Sequence, residues 1–388
     1  MSKYAHIQFK RQWEVLPETN YQLGQCSAII EAICWAPLQP EYREKLLHVS
    51  LVKGAQATTA IEGNTLTESE VEEVAKGQSL PPSKEYQERE VRNILDAMNS
   101  ILDEVARQGK AQLVTKDLIL RFHELVGKEL GEHFDAIPGR FRQDNRVVGP
   151  YRCPEYQDVP GLVDQLCNWL RQEFAFHSGQ QTFSDAVIQA IVTHVYLEWI
   201  HPFGDGNGRT GRLLEFYILL RAGNPDLASH ILSNFYNATR PEYYRQLDKA
   251  CKERDLTSFI AYAVQGYRDG LRESLQMIQE NQLKYAWRGL IYGRFADVPY
   301  RKRGVFKRRR NLMLNIPIHQ ELDVPSLAIL TPELAREYAS ATERTLARDV
   351  AVLAEMDLIV RLPNGRVRAN TPLLRAQLPA RHQRAQAR

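Results

Sequence analysis

His201-Pro202-Phe203-Gly204-Asp205-Gly206-Asn207-Gly208-Arg209-Thr210-Gly211-Arg212 stands between two apolar runs, one ending Tyr196-Leu197-Glu198-Trp199-Ile200 and one over Leu213–Ala222 closed by Gly223. A Gly-Asn-Gly loop that feeds a helix start gathers several backbone N–H groups in one concavity. The helix dipole adds to its attraction for an anion, typically phosphate. Arg209 and Arg212, on the first turns of that helix, offer charge-assisted contacts to phosphate oxygens. Asp205 is a hard oxygen ligand for the Mg²⁺ that accompanies polyphosphate. His201 can take a proton near neutral pH. No Gly-Lys-Ser/Thr follows the glycines, so this is not a Walker A loop. A bare Gly-Asn-Gly between two helices is equally compatible with a tight connection carrying surface arginines.

The twelve residues resemble the HxFx(D/E)GNGRxxR signature of Fic domains, with all eight specified positions occupied in order. The resemblance extends over roughly residues 20–280. It implies transfer of AMP from Mg-ATP to a Ser, Thr or Tyr hydroxyl of a target protein, possession of Mg²⁺ coming with the ATP. By resemblance, His201 is the base that deprotonates the target and Asp205 holds Mg²⁺. Gly206, Asn207 and Gly208 form the anion hole, Arg209 is on the phosphates, Thr210 and Gly211 belong to the ATP-binding stretch, and Arg212 binds the γ-phosphate. Tyr243 and Tyr244, in the stretch Arg240–Leu247, are similar to the family's helix that encloses the nucleotide base. Arg146, Val147 and Val148 correspond to the flap that docks the target segment by strand addition. Thr58-Thr59-Ala60-Ile61-Glu62-Gly63 resembles the family's (S/T)xxxE(G/N) inhibitory motif, defined here by Thr58, Glu62 and Gly63. Glu62 is expected at the nucleotide site, paired with Arg212 and so denying it to the γ-phosphate. Phe203 reads as a core anchor and His194 as structural. Gly204 is small for its variable slot, and Cys251 stands where some relatives have an adenine-contacting Asn.

The rest of the chain is ordinary for a globular protein. Its 388 residues, 44% apolar and 25% charged, fit two or three domains without disulfide or metal staples. No run of 18 apolar residues is present, and the opening residues lack the apolar stretch of a signal peptide. Five scattered cysteines without a CxxC pair argue against a disulfide framework or a cysteine zinc site. The expectation is a cytoplasmic protein. Charge is uneven: residues 301–388 hold 17 basic against 8 acidic residues, a net of +9, whereas the other 300 hold 33 against 39, a net of −6. Seven of the ten residues from Arg301 to Arg310 are basic, which attracts polyanions unless the run is a solvated linker.

Apolar spacing predicts a mainly α chain, with helices over 27–35, 43–62, 68–76, 85–106, 115–129, 159–175, 184–200, 210–222, 241–251 and 256–281. A hairpin is expected over 138–154 with its turn near Asp144-Asn145. Near residue 283 the texture changes. Leu327–Tyr338 and Glu343–Met356 read as two helices across a turn at Ala339–Thr342. A hairpin then spans Leu358–Leu362 and Arg366–Arg368, which is the winged-helix order. The expected domains are an N-terminal helical region at 1–106 with an inhibitory helix at about 46–64, a Fic core at 107–282, a winged helix at 283–375 and a basic tail at 376–388. The leading expectation is an autoinhibited protein adenylyltransferase. The alternatives are removal of AMP or another nucleotidyl transfer at the same site, and a nucleotide-sensing DNA-binding regulator. ATP and a target protein, including the chain itself, are the expected partners, with DNA or a protein at the winged helix, no membrane, and a homodimer left open.

Overall fold

The computed structural model describes residues 3–108, 113–174, 182–297, 303–339 and 341–375. Helix dominates, and among the described residues the strands form two antiparallel two-stranded hairpins. The chain divides into two compact units, residues 1–276 and 277–388. In order, the first unit contains α1 (Pro17–Cys34), α2 (Pro40–Ala60), α3 (Glu68–Ala75), α4 (Glu85–Gln108) and α5 (Lys116–Gly127). The hairpin β1 (Val147–Val148) and β2 (Tyr151–Arg152) follows, then α6 (Val159–Glu173), α7 (Phe183–Ile200), α8 (Asn207–Arg221), α9 (Ile231–Ala238), α10 (Arg240–Glu253) and the start of α11 (Thr257–Ala296).

Two helices form the centre of this unit. α7 reads apolar on every face, and nearly every residue from Ala186 to Ile200 is buried. Its start is fixed by Thr182, whose hydroxyl accepts the Asp185 N–H at 3.1 Å. α8 is buried along its length although it carries Arg209, Arg212 and Glu215, so each of these charges needs an internal partner. α2, α4 and α5 pack on α8, while α1 and α6 pack on α7. α2 presents small residues, Gly54, Ala55, Ala57 and Thr58, to this core. That lets its C-terminal end approach the start of α8.

The second unit has its own core. Trp287, Ile291 and Phe295 of α11 meet Leu312 and Met313 of α12 (Arg303–Asn315), Leu334 of α13 (Pro332–Tyr338), and Leu346, Val350 and Leu353 of α14 (Glu343–Glu355). The hairpin β3 (Ile359–Arg361) and β4 (Val367–Ala369) closes it through Ile359 and Val367, and α15 (Pro372–Arg375) follows.

Several expectations are corrected. The first hairpin turns at Gly149-Pro150, not at Asp144-Asn145, with Val148 opposite Tyr151. Gly149 has φ +55°, the conformation that a two-residue turn with glycine first requires and proline second permits. Asp144 and Asn145 are held instead by tertiary bonds: Arg142 donates to the Asp144 carbonyl at 2.6 Å, and Asn145 Oδ1 accepts from the Tyr156 N–H at 3.0 Å. The helix expected to be inhibitory ends at Ala60, so Glu62 and Gly63 lie in the turn beyond it. Leu327 belongs to a short 3-10 turn, and α13 starts only where Thr331 caps it. α9 and α12 had no counterpart in the periodicity reading. The basic run is largely the helix α12, because Leu312 and Met313 give it a side to bury and Asp349 supplies Arg308 and Arg309 with a partner. Arg301, Lys302, Ser340 in the Ala339–Thr342 turn, and the basic tail lie outside the described residues.

Candidate functional site

The loop from His201 to Gly206 is built by pinning its backbone. His201 ends α7 in the left-handed region, at φ 49° and ψ 60°, which is uncommon for a residue with a side chain. Arg142 holds it there. Its Nε donates to the His201 carbonyl at 2.7 Å, its Nη2 to the Pro154 carbonyl at 2.5 Å, and its N–H to the Pro202 carbonyl at 3.0 Å. Asn207 closes the next turn: its Oδ1 accepts from the Phe203 N–H at 2.9 Å and its Nδ2 donates to the Phe203 carbonyl at 3.0 Å. Phe203 is fully buried, and its ring lies flat on His123, 3.6 Å between centres. His123 accepts the Gly139 N–H on Nδ1 at 3.1 Å, so its Nε2–H donates to the Asp205 carbonyl at 2.9 Å. Gly204 is small for a reason. A Cβ there would run into the carbonyl oxygen of Asp135.

Gly206 begins α8 at φ +80°, as glycine does without strain. Just beyond it, over the N-terminal turn of α8, lies a carboxylate. Glu62 Oε1 stands where a Cβ on Gly208 would be, over the first turn of α8, and accepts from Arg212 Nη2 at 2.5 Å. The Arg212 side chain is 1% exposed, yet its Nε and Nη1 have no acceptor among the described residues. Burial raises the Glu62 carboxyl, but the charge and hydrogen bond of Arg212 outweigh it and hold the group below its ordinary range. The end of α2 is tied to the same place through its last carbonyls. Arg212 Nη2 donates to Thr58 O at 2.9 Å, Arg240 Nη1 to Ala60 O at 3.1 Å, and the Tyr244 hydroxyl to Ile61 O at 3.1 Å. Thr58 therefore acts through its backbone, since its buried hydroxyl has no partner among the described residues.

Arg209 lies between two carboxylates. It pairs with Glu90 through Nη1 and with Asp205 Oδ1 through Nη2 at 2.6 Å. Glu90 is also bound by Asn64 Nδ2 at 3.0 Å, so the turn carrying Glu62 is linked through Glu90 and Arg209 to Asp205. Both Asp205 contacts, from Arg209 and from the Gly206 N–H, fall on Oδ1. Removing Glu90 leaves the buried Arg209 with Asp205 as its remaining partner, which puts the cost at the low end of the ~3–5 kcal/mol for breaking a buried pair. Glu90→Ala is therefore expected to lower stability by about 3 kcal/mol in urea melts, whereas Asp103→Ala, at an exposed pair with Arg107, changes it by less than about 1 kcal/mol. Equal effects would deny Glu90 its buried role.

His201 opens on a cavity of about 290 Å³ walled by Glu198, Tyr244, Leu247, Asp248 and Cys251, with Val148–Tyr151 of the hairpin forming a further wall. Tyr244 is on this wall. Tyr243 is not: it is 1% exposed, shares a 2.8 Å hydrogen bond with His194 Nε2 and stacks on Tyr236. Gly211 also lies away from it, where a Cβ would press on His194, and Thr210 is wholly buried. Val147 and Val148 are exposed, while Arg146 is paired with Asp135 at 2.5 Å and Asp144 at 3.0 Å. Sequence reasoning missed Glu90, His123, Arg142 and Arg240. Their partners are tens of residues away, so no local spacing marks them. Glu198 had a signal, since it precedes His201 by three residues on one helix.

Burial, helped by the nearby Arg142, pushes His201 down to about 4, so it is unprotonated at neutral pH. Burial likewise pushes His123 and His230 to about 4 and His194 to about 3. It raises Glu198 to about 8, reinforced by the charge of Glu62. The unfolded chain takes up histidine protons near pH ~6.5 that the folded chain refuses until about pH 4, so stability falls as pH drops through that window. Glu198 acts in the opposite sense, losing stability as pH rises from its unfolded value towards 8. Melting temperatures are expected to peak near pH ~6.5–7 and to drop steeply below ~6. A flat profile down to pH ~4.5 would contradict these assignments.

Residues 113–219 match the family model described as Fic/DOC family. The chain is 30% identical over 206 residues to a protein adenylyltransferase Fic of Nematostella vectensis, covering 53% of this chain and 44% of the relative. It is 31% identical over 207 residues to protein adenylyltransferase fic-1 of Caenorhabditis elegans, covering 53% and 37%. The chain thus spans less than half the length of these curated relatives. Among solved structures, a Fic family protein from Desulfovibrio desulfuricans G20 superposes with a TM-score of 0.56 at 22% identity, covering 93% of this chain and 98% of that one. Fic-1 (residues 134–508) from C. elegans gives 0.52 at 24% identity, over 68% and 74%. These likenesses show a shared fold, and no helix among the described residues is long and apolar enough to cross a membrane. With the signature at the start of α8 and the matched core around it, residues 113–219 are similar to the Fic/DOC family.

Proposed function

We propose that this site transfers AMP from ATP to a hydroxyl of a protein side chain and that Glu62 holds it inactive. The observation that carries the reading is Arg212: a buried guanidinium with two unmet donors beside a helix N-terminus, its third group taken by a carboxylate in the anion seat. A triphosphate presents the same chemistry as that carboxylate, with more oxygens. In the proposed reaction the target hydroxyl oxygen attacks the α-phosphorus, the bond to pyrophosphate breaks, and the hydroxyl proton passes to the neutral His201 ring. The cavity beside His201, with Tyr244, Leu247 and Cys251 on its wall, would take the base. The exposed edge at Val147 and Val148 would accept the target segment by strand addition.

The donor set fits Mg²⁺ only as a shared ligand. Asp205 Oδ2 has no protein partner among the described residues, and no group of three acidic, His or Cys side chains is available there to build a full cage. Mg²⁺ usually binds through one or two carboxylates plus substrate phosphates. Held by Asp205, it would neutralise phosphate charge, and Arg209 would keep the Asp205 carboxylate oriented. The test is incubation of Glu62→Gly with ATP labelled at the α- or the γ-phosphate. Protein label from the α position alone supports AMP transfer, and label from the γ position overturns it in favour of phosphoryl transfer.

A further inference from the structure

We infer that the second unit carries a duplex-DNA-binding surface made by the outward face of α14 and the β3–β4 hairpin. The side of α14 that meets the core is Leu346, Asp349, Val350 and Leu353. At ~100° per residue, Arg344 and Arg348 lie opposite that side, with the small Ala347 and Ala351 between or beside them. Arg344 and Arg348 are exposed and form no ion pair among the described residues. The acidic Glu355 comes only at the last turn. A helix with arginines and small residues outward can enter a major groove, which is ~12 Å wide, and place guanidinium groups on phosphates and base edges. The hairpin adds Arg368, exposed and likewise without an ion pair among the described residues, on the strand face opposite the buried Val367 and Ala369 and beside an Asn364-Gly365 tip.

The cationic segment that draws the eye in the sequence is not the centre of this surface. Arg308 and Arg309 turn inward to one buried carboxylate, Asp349, at 2.8 and 2.7 Å, and Arg308 also lies over the Tyr338 ring. Their work is to hold α12 to α14. Asp349 in turn accepts from the Tyr338 hydroxyl at 3.0 Å, which ties α13 to the same point. The ion cluster thus fixes α14 on its inner side while its outer side keeps its charge. Three uncompensated arginines, two on one helix face and one on the hairpin, complement a polyanion.

The test uses the full chain and a fluorescein-labelled random duplex of about 30 base pairs, followed by anisotropy between about 50 and 300 mM KCl. Three phosphate contacts predict a slope of log affinity against log salt of about −2.7. Arg344→Glu/Arg348→Glu should weaken binding at least about tenfold at ~100 mM KCl, and Arg368→Ala should reduce the slope by about 1. Arg171→Glu, an exposed change in the first unit, should alter neither. Circular dichroism confirms that each variant is folded. Absence of salt-dependent binding, retention of wild-type affinity in the α14 variant, or equal affinity for single-stranded RNA of the same length would overturn the proposal. The readout does not depend on nucleotidyl transfer, so its failure and that of the enzymatic reading are separate.

Discussion

Glu62→Gly is expected to raise AMP incorporation by at least about tenfold, seen first as self-modification. Exposed ion pairs contribute ~0–1 kcal/mol, but the Arg212 partner here is 1% exposed and hydrogen-bonded at 2.5 Å, which places the pair above that range. A bias of ~1.4 kcal/mol against the productive pose corresponds to tenfold, and ~2.8 to a hundredfold. The carboxylate is also in the way, since it fills the space over Gly208 that a phosphate would need. The same variant should melt at a lower temperature without nucleotide, because Arg212 then retains only the Thr58 carbonyl. ATP should then stabilise it more than wild type, as expected for a ligand that replaces a lost anion. Glu62→Asp should fall between the two, because its shorter arm reaches less far towards Arg212.

The second large effect is loss of transfer on replacing His201. General-base catalysis is worth roughly 10²–10⁴-fold, so in the Glu62→Gly background the rate should fall by about that factor. Alanine at this position also disturbs a left-handed backbone, which makes His201→Asn the better variant. Asparagine tolerates φ near +50° and offers no base. ATP affinity should change by no more than about threefold, because the histidine acts on the target hydroxyl rather than on the phosphates. Parallel losses of affinity and rate would show that His201 holds the nucleotide or merely the loop.

These two residues were legible in the sequence because their chemistry is local. His201 through Arg212 form one continuous stretch, and Glu62-Gly63 is a recognisable helix end. What holds them was not legible. Asn64, Glu90, Arg209 and Asp205 join three separate chain segments in a single charge network, and nothing about the spacing of Glu90 on α4 distinguishes it from a surface glutamate. Arg142 has the same character, a cation in a polar loop whose partners are three backbone carbonyls. Tyr243 and Tyr244 show the opposite difficulty. Adjacent on α10, they point to different environments, one into an aromatic core with His194 and Tyr236 and one onto the cavity and the Ile61 carbonyl. Most helices with an apolar stripe were found, though α1 begins at Pro17 rather than 27 and α11 runs on to Ala296 rather than 281. α12 was missed because lysine and arginine conceal its two buried residues.

The central claim is that one carboxylate occupies the seat of a phosphate and that His201 acts once the seat is free. It is tested most directly by AMP incorporation from α-labelled ATP into wild type, Glu62→Gly and Glu62→Gly/His201→Asn under one set of conditions. The predicted order is weak labelling, labelling at least about tenfold stronger, and labelling near background. Equal labelling of wild type and Glu62→Gly would contradict the inhibitory role of Glu62, and strong labelling of the double variant would contradict the role of His201.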